Sequence, residues 1–211
     1  MVIISQETTL FSLWRLEEDA PQLLALCRET GIPVEDLISL PVKRQREKAA
    51  ERLLLCHALG RPVTLGYTEQ GAPFVEDNDV NISISHTQRL VVLAVDPEHI
   101  IGVDAEQTDR SQVLRVRDKY LNASERQFIA PDDLAAHIIA WTAKESIIKA
   151  ERNSALDWTN GITLDPFTLD GLDAGGITFT ARCGAARYRL MSYLVEGHYI
   201  TLASQTDGLG Q

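Results

Sequence analysis

Apolar and polar positions follow two rhythms along this chain. Between Pro41 and Gly60, residues Ala49, Ala50, Leu53, Leu54 and Ala58 recur at helical spacing, which predicts an amphipathic helix over 42–59 with its basic residues turned outward. Gly71-Ala72-Pro73 reads as a turn. Asn81 to His86 alternates polar with apolar and Leu90 to Val95 is apolar and β-branched, so the short Thr87-Gln88-Arg89 link predicts a hairpin. Ile100 to Ala105 reads as a strand with Asp104 and Glu106 at its exit, and positions two apart on a strand share one face. Residues 110–119 and 123–130 read as helical, the second with Asn122 or Ser124 as a cap. Asp132 and Asp133 lead into a long helix over 134–151 with Ala136, Ile139, Ala140, Ala143 and Ile147 on its apolar face. Trp141, Glu145 and Lys149 are spaced by four and form one stripe of that helix. Beyond Gly161 strands return over 177–181, 186–195 and 198–203, and Gln205 to Gln211 reads as a frayed polar tail.

Helix and strand are mixed in both halves. The pattern predicts an α/β (α+β) protein of two subdomains, 1–98 and 99–211, joined near 96–101 with no flexible Gly/Ser linker. They are expected to pack tightly, with the crevice between them as the first place for a ligand.

The chain has 211 residues with 30 acidic and 20 basic side chains, a formal charge of −10, and this balance argues against broad nucleic-acid binding. The mean hides a reversal: residues 1–40 carry seven acidic against two basic side chains, residues 41–61 six basic against two acidic. Such a segment suits a small polyanion or an acidic partner, and equally a solvated helix face. Cys27, Cys56 and Cys183 lack the spacing of a disulfide framework or a zinc site and read as reduced, buried hydrophobes. No apolar run has the length of a membrane span, the first twenty residues lack the pattern of a secretory signal, and a cytoplasmic address is expected.

Three carboxylates stand out, Asp104 and Glu106 on one strand face and Glu145 on a mainly apolar helix beside Lys144 and Lys149. Convergent carboxylates suit Mg²⁺, which prefers hard oxygen ligands, and nearby lysines would neutralise charge on a transferring phosphoryl group. The plainer reading is a solvated loop entrance and an ordinary helix-surface pair worth about 0.2–0.5 kcal/mol.

Ile82-Ser83-Ile84-Ser85-His86, then Ile101-Gly102-Val103-Asp104-Ala105-Glu106, then Trp141-Thr142-Ala143-Lys144-Glu145-Ser146-Ile147-Ile148-Lys149 resemble the ordered signatures of the 4′-phosphopantetheinyl transferases, over about residues 41–203. The similarity is to the larger, pseudo-dimeric type. It implies two similar subdomains related by a pseudo-twofold axis, each a small, largely antiparallel sheet packed with a long helix. It implies a monomeric enzyme that transfers the phosphopantetheine arm of coenzyme A to a serine of an apo acyl or peptidyl carrier protein and releases adenosine 3′,5′-bisphosphate. On the same resemblance, Asp104, Glu106 and Glu145 would hold Mg²⁺, and Lys144 and Lys149 would contact phosphates, Lys149 steadying the leaving one. Ser85 and His86 would meet coenzyme A phosphates, and Arg44, Arg46 or Arg52 the 3′-phosphate. Glu145 or a metal-bound water would take the serine proton, with Glu125 a further candidate. Gly71-Ala72-Pro73 departs from the family's Gly-Lys-Pro, so one phosphate contact must come from elsewhere or be missing. Two other readings of the same residues are a metal-dependent phosphodiesterase acting on nucleic acid and a non-catalytic coenzyme A-binding module.

Overall fold

The structure, a computed structural model, describes residues 2–6, 8–76 and 79–206. It forms two compact units, Met1–Glu98 and His99–Gln211.

The N-terminal unit holds β1 (Val2–Gln6), β2 (Thr9–Arg15), α1 (Ala20–Glu29), α2 (Val42–Leu59), β3 (Leu65–Tyr67), β4 (Pro73–Val75), β5 (Asn81–His86) and β6 (Leu90–Asp96). Its main sheet runs β1-β2-β6-β5 with every pair antiparallel, and β3 and β4 make a separate hairpin. Helix α2 spans the residues its periodicity predicts. It stops where Gly60 takes a left-handed φ of 68°, a conformation that glycine adopts without a Cβ penalty. Ala49, Ala50, Leu53 and Leu54 of α2 pack with Leu23 and Cys27 of α1 and with Val91, Leu93 and Val95 of β6. Strand β6 is apolar from Leu90 to Val95 and is buried along its whole length, Asp96 included.

The C-terminal unit holds β7 (Ile101–Gln107), α3 (Gln112–Arg115), α4 (Leu134–Glu151), β8 (Ile162–Leu164), β9 (Ile177–Cys183), β10 (Ala186–Val195) and β11 (His198–Thr206). Its antiparallel sheet runs β7-β11-β10-β9-β8, and Ile139, Ala140, Ala143 and Ile147 of α4 share a core with Phe179, Tyr188, Leu190 and Ala203. Asp133 caps α4 by accepting from Ala136 N at 3.0 Å. Helix α4 is buried on more than the predicted face, because Val113, Tyr120, Leu121, Ile129 and Leu172 from the flanking connections join the same core. Through its central turns the positions left partly open are Trp141, Glu145 and Lys149.

Several elements differ from their sequence-predicted extents. Strand β7 runs on to Gln107, so Asp104 and Glu106 lie within the strand instead of at its exit. The helix predicted over 110–119 is α3 followed by a 3₁₀ turn at Arg117–Lys119, and the one over 123–130 is a single 3₁₀ turn at Glu125–Gln127. There Asn122 Oδ1 accepts from Ser124 Oγ at 2.7 Å and Glu125 N at 2.9 Å, so the side chain competes with helical bonding. Strand β11 carries Gln205 and Thr206 into the sheet, and the rest of the predicted tail, 207–211, lies outside the described residues. Among the described residues no helix is long and apolar enough to cross a membrane. The three cysteines are free thiols, with Cys27 and Cys183 buried and Cys56 partly so.

Candidate active site

The site begins at Gly102. A Cβ there would overlap the carbonyl oxygen of Ser146 and come within 2.8 Å of Ala150 N, so the α4 backbone lies directly on β7 at this point. Only a glycine permits that approach. Residues 102, 104 and 106 share the α4-facing side of the strand, whereas Val103 and Ala105 are buried on the other side. The contact therefore sets Asp104 and Glu106 beside the turn of α4 that carries Glu145 and Lys149.

Lys149 Nζ donates to Asp104 Oδ1 at 2.8 Å and to the carbonyl of Val103 at 2.9 Å, so the last lysine of the helix stripe ties α4 to the strand. The Glu145 carboxyl is pushed above the ordinary carboxylate range by burial and by the negative charge of Asp104, against the opposing pull of Lys149 and Arg110. Glu106 pairs with Arg110 four residues on. The Arg110 guanidinium lies 5.3 Å from the centroid of the Trp141 ring, which in turn meets Tyr120 edge-on at 5.3 Å and Trp158 at 4.7 Å. Arg110 was missed at the sequence level, although its position four residues after Glu106 and the aromatic on the helix stripe are both visible there.

Lys144 is placed differently from its expected role. Its side chain is fully buried, and Nζ donates to Glu125 Oε2 at 2.8 Å, Trp158 O at 2.7 Å and Ile162 O at 3.0 Å. All three ammonium hydrogens are thus spent inside the protein, and a phosphate contact from Lys144 does not agree with this arrangement. Burial lowers its proton affinity and Glu125 opposes that effect. Glu125, the alternative base, is also fully buried and accepts from Leu164 N and Asn122 N at 2.8 Å as well as from Lys144. The pair fastens the 122–128 and 158–164 connections to α4.

The basic segment of α2 is largely turned onto its own unit. Arg46 donates to Leu16 O and Glu18 O, both at 2.9 Å, and Arg52 donates to Pro33 O at 2.7 Å while gripping both oxygens of Asp36. The guanidinium of Arg52 holds the Asp36 carboxyl below its usual range. Arg46 and Arg52 therefore do not fit the expected 3′-phosphate contact, and the prediction of outward basic residues holds chiefly for Lys43 and Arg44. Arg44 pairs at 2.9 Å with buried Glu47, whose Oε2 also lies 3.6 Å from His86 Nε2. Ser85, next to His86, is buried. Lys48 donates to Glu51 at 2.8 Å and to the Tyr67 hydroxyl at 2.6 Å, beside the hairpin turn at 68–72. Among the other histidines, which show no partner in sequence, His137 Nδ1 lies 2.6 Å from the Tyr120 hydroxyl.

The donor chemistry of Asp104, Glu106 and Glu145 fits Mg²⁺, since all three offer hard anionic oxygens. In this arrangement Asp104 is neutralised by Lys149 and Glu106 by Arg110. Among the described residues no three Asp, Glu, His or Cys side chains stand together as a preformed metal cage.

A sequence model described as the 4′-phosphopantetheinyl transferase superfamily matches residues 100–203. No curated protein matches the chain. The matched segment holds β7, α4, β8, β9, β10 and most of β11, with every residue of the Asp104, Glu106, Glu145, Lys149 group inside it. Through residues 100–203 the chain belongs to the 4′-phosphopantetheinyl transferase superfamily.

Proposed function

We propose that this protein moves the phosphopantetheine arm of coenzyme A onto a serine hydroxyl of an apo acyl or peptidyl carrier protein, with adenosine 3′,5′-bisphosphate as the leaving product. The observation that carries the reading is the placement of Glu145 and Lys149, one helical turn apart on α4, against Asp104 of β7. A serine hydroxyl is a weak nucleophile near neutral pH and needs a base within reach. Glu145 is placed for that task, partly open on the α4 stripe one turn before Lys149. Glu125 is not, since its oxygens already serve Lys144 and two backbone amides.

The serine oxygen attacks the phosphorus that bears pantetheine. The bond from that phosphorus to the bridging oxygen breaks, the hydroxyl proton passes to Glu145, and the bond pair leaves with the nucleotide. Lys149 faces the negative charge that collects on the departing phosphate. Asp104, Glu106 and Glu145 would hold Mg²⁺, which when bound supplies charge neutralisation to the diphosphate. In the N-terminal unit Arg44 and His86, drawn together by Glu47, are the remaining candidates for coenzyme A phosphates.

Incubation with coenzyme A, Mg²⁺ and several apo carrier proteins, followed by intact-mass measurement, tests the proposal. A carrier should gain the mass of the phosphopantetheine arm, and Asp104→Ala or Glu145→Gln should abolish the gain while the circular dichroism spectrum is kept. Full transfer by either variant would contradict the site assignment, and coenzyme A binding with no mass gain on any carrier would contradict the activity.

A further inference from the structure

Arg110 touches the site at two points, Glu106 and Trp141, and belongs to no sequence signature. It follows β7 in a turn where its amide donates to Gln107 O at 3.2 Å, and its side chain is 38% exposed. From there Nη1 pairs with Glu106, while Cζ lies over the Trp141 ring, 5.3 Å from its centroid. Trp141 cannot easily yield, because Tyr120 and Trp158 wedge it from two sides. The ring is thus a rigid seat for the cation, a contact that arginine makes more often than lysine.

Two cations of the chain therefore neutralise two carboxylates of the set, but they are held unequally. Lys149 is also anchored by the Val103 carbonyl, 29% exposed, and lies between strand and helix. Arg110 makes a part-exposed ion pair of the weak, solvent-screened kind, with a second resting place ready on Trp141. A divalent ion arriving at Glu106 finds Oε1 of that carboxylate held by Arg110, and it meets an adjacent positive charge that it must push away or outlast.

We infer that Arg110 is a resident counter-ion of the site: it covers Glu106 and rests on Trp141 in the metal-free protein, gives up Glu106 to a divalent cation, and by that competition weakens cation binding. The inference rests on the assignment of Asp104, Glu106 and Glu145 to Mg²⁺. Arg110 is a positioning residue, acting through Glu106 and not on the transferring group.

The test is Mg²⁺ binding by calorimetry to the full chain, without coenzyme A, in the wild type, R110Q, R110K and D104A. Removing one adjacent positive charge should make R110Q bind Mg²⁺ about fivefold more tightly or better, and R110K, which keeps the charge, should stay near the wild type. In a W14F background Mg²⁺ should shift the tryptophan emission of the wild type, as the guanidinium released from Glu106 shifts over Trp141, and leave that of R110Q unmoved. Equal or weaker binding by R110Q, R110K behaving like R110Q, or the same emission change in wild type and R110Q each overturns the inference and leaves the metal assignment standing. Absence of Mg²⁺ binding in the wild type, or binding that D104A does not impair, overturns the assignment beneath it.

Discussion

Lys144 and Lys149 stand in one nine-residue signature and meet opposite surroundings. Lys149 continues the stripe of Trp141 and Glu145 and reaches Asp104, whereas Lys144 points between α4 and two connections and is closed over completely. The stripe was legible from spacing, because residues four apart on a helix must lie on one side. Lys144 was not, because its surroundings depend on Glu125, Trp158 and Ile162, all distant in sequence. Removing one partner of a buried ion pair leaves the other charge uncompensated and costs about 3–5 kcal/mol. Lys144→Met should therefore destabilise the protein by roughly that amount in urea denaturation. Glu125→Leu combined with Lys144→Met should recover part of the loss. A Lys144→Met protein of unchanged stability with a much weakened coenzyme A KM would instead place the ammonium on the substrate.

At the scale of elements, the contact of α4 with β7 is what makes a site out of a strand and a helix. Strand alternation already put Asp104 and Glu106 on one face, and the lone glycine two residues before Asp104 is the sequence signal for a close backbone approach. What approaches it, the carbonyl of Ser146, is a matter of packing. Gly102→Ala forces a methyl into that carbonyl, and overpacking of this sort costs about 1–3 kcal/mol. The variant should unfold at lower urea and, in whatever fraction stays folded, lose turnover because Glu145 and Lys149 move away from Asp104. Undiminished turnover per folded molecule would mean that the spacing of strand and helix is not critical. The helix expected at 123–130 failed at this scale too, reduced to one 3₁₀ turn, whereas that at 110–119 survives as α3 and a 3₁₀ turn. Local pattern suggested helix, but Glu125 is drawn inward by Lys144 and by Leu164 N, and the chain follows it.

For the whole molecule, each unit carries its own hydrophobic core, and the net charge of −10 shapes how folding responds to pH. Mild acid relieves self-repulsion among the excess carboxylates and favours the folded state. His137 works the other way. It is fully buried against the Tyr120 hydroxyl, and burial lowers its proton affinity, so the unfolded chain binds the proton more readily than the folded one. Its contribution is present above the ordinary histidine value of about 6.5 and is lost as pH falls from there through the lowered folded value. The melting temperature of the wild type should accordingly fall more steeply between neutral pH and pH about 5 than that of His137→Gln, whatever their absolute difference. Parallel curves would show that His137 does not couple folding to protons.

Sequence alone determined what repeats over a few residues: the helices over 42–59 and 134–151, the hairpin from Asn81 to Asp96, the shared face of Asp104 and Glu106, and the stripe of Trp141, Glu145 and Lys149. These follow from the fixed rotation per residue of helix and strand, which the order of apolar side chains reports directly. Tertiary structure alone decided which charge meets which partner: Arg46 and Arg52 on backbone carbonyls of their own unit, Lys144 on Glu125, Arg110 on Glu106 and Trp141. A long charged side chain can reach in many directions, and the one it takes is set by groups far along the chain that only packing brings within hydrogen-bond distance.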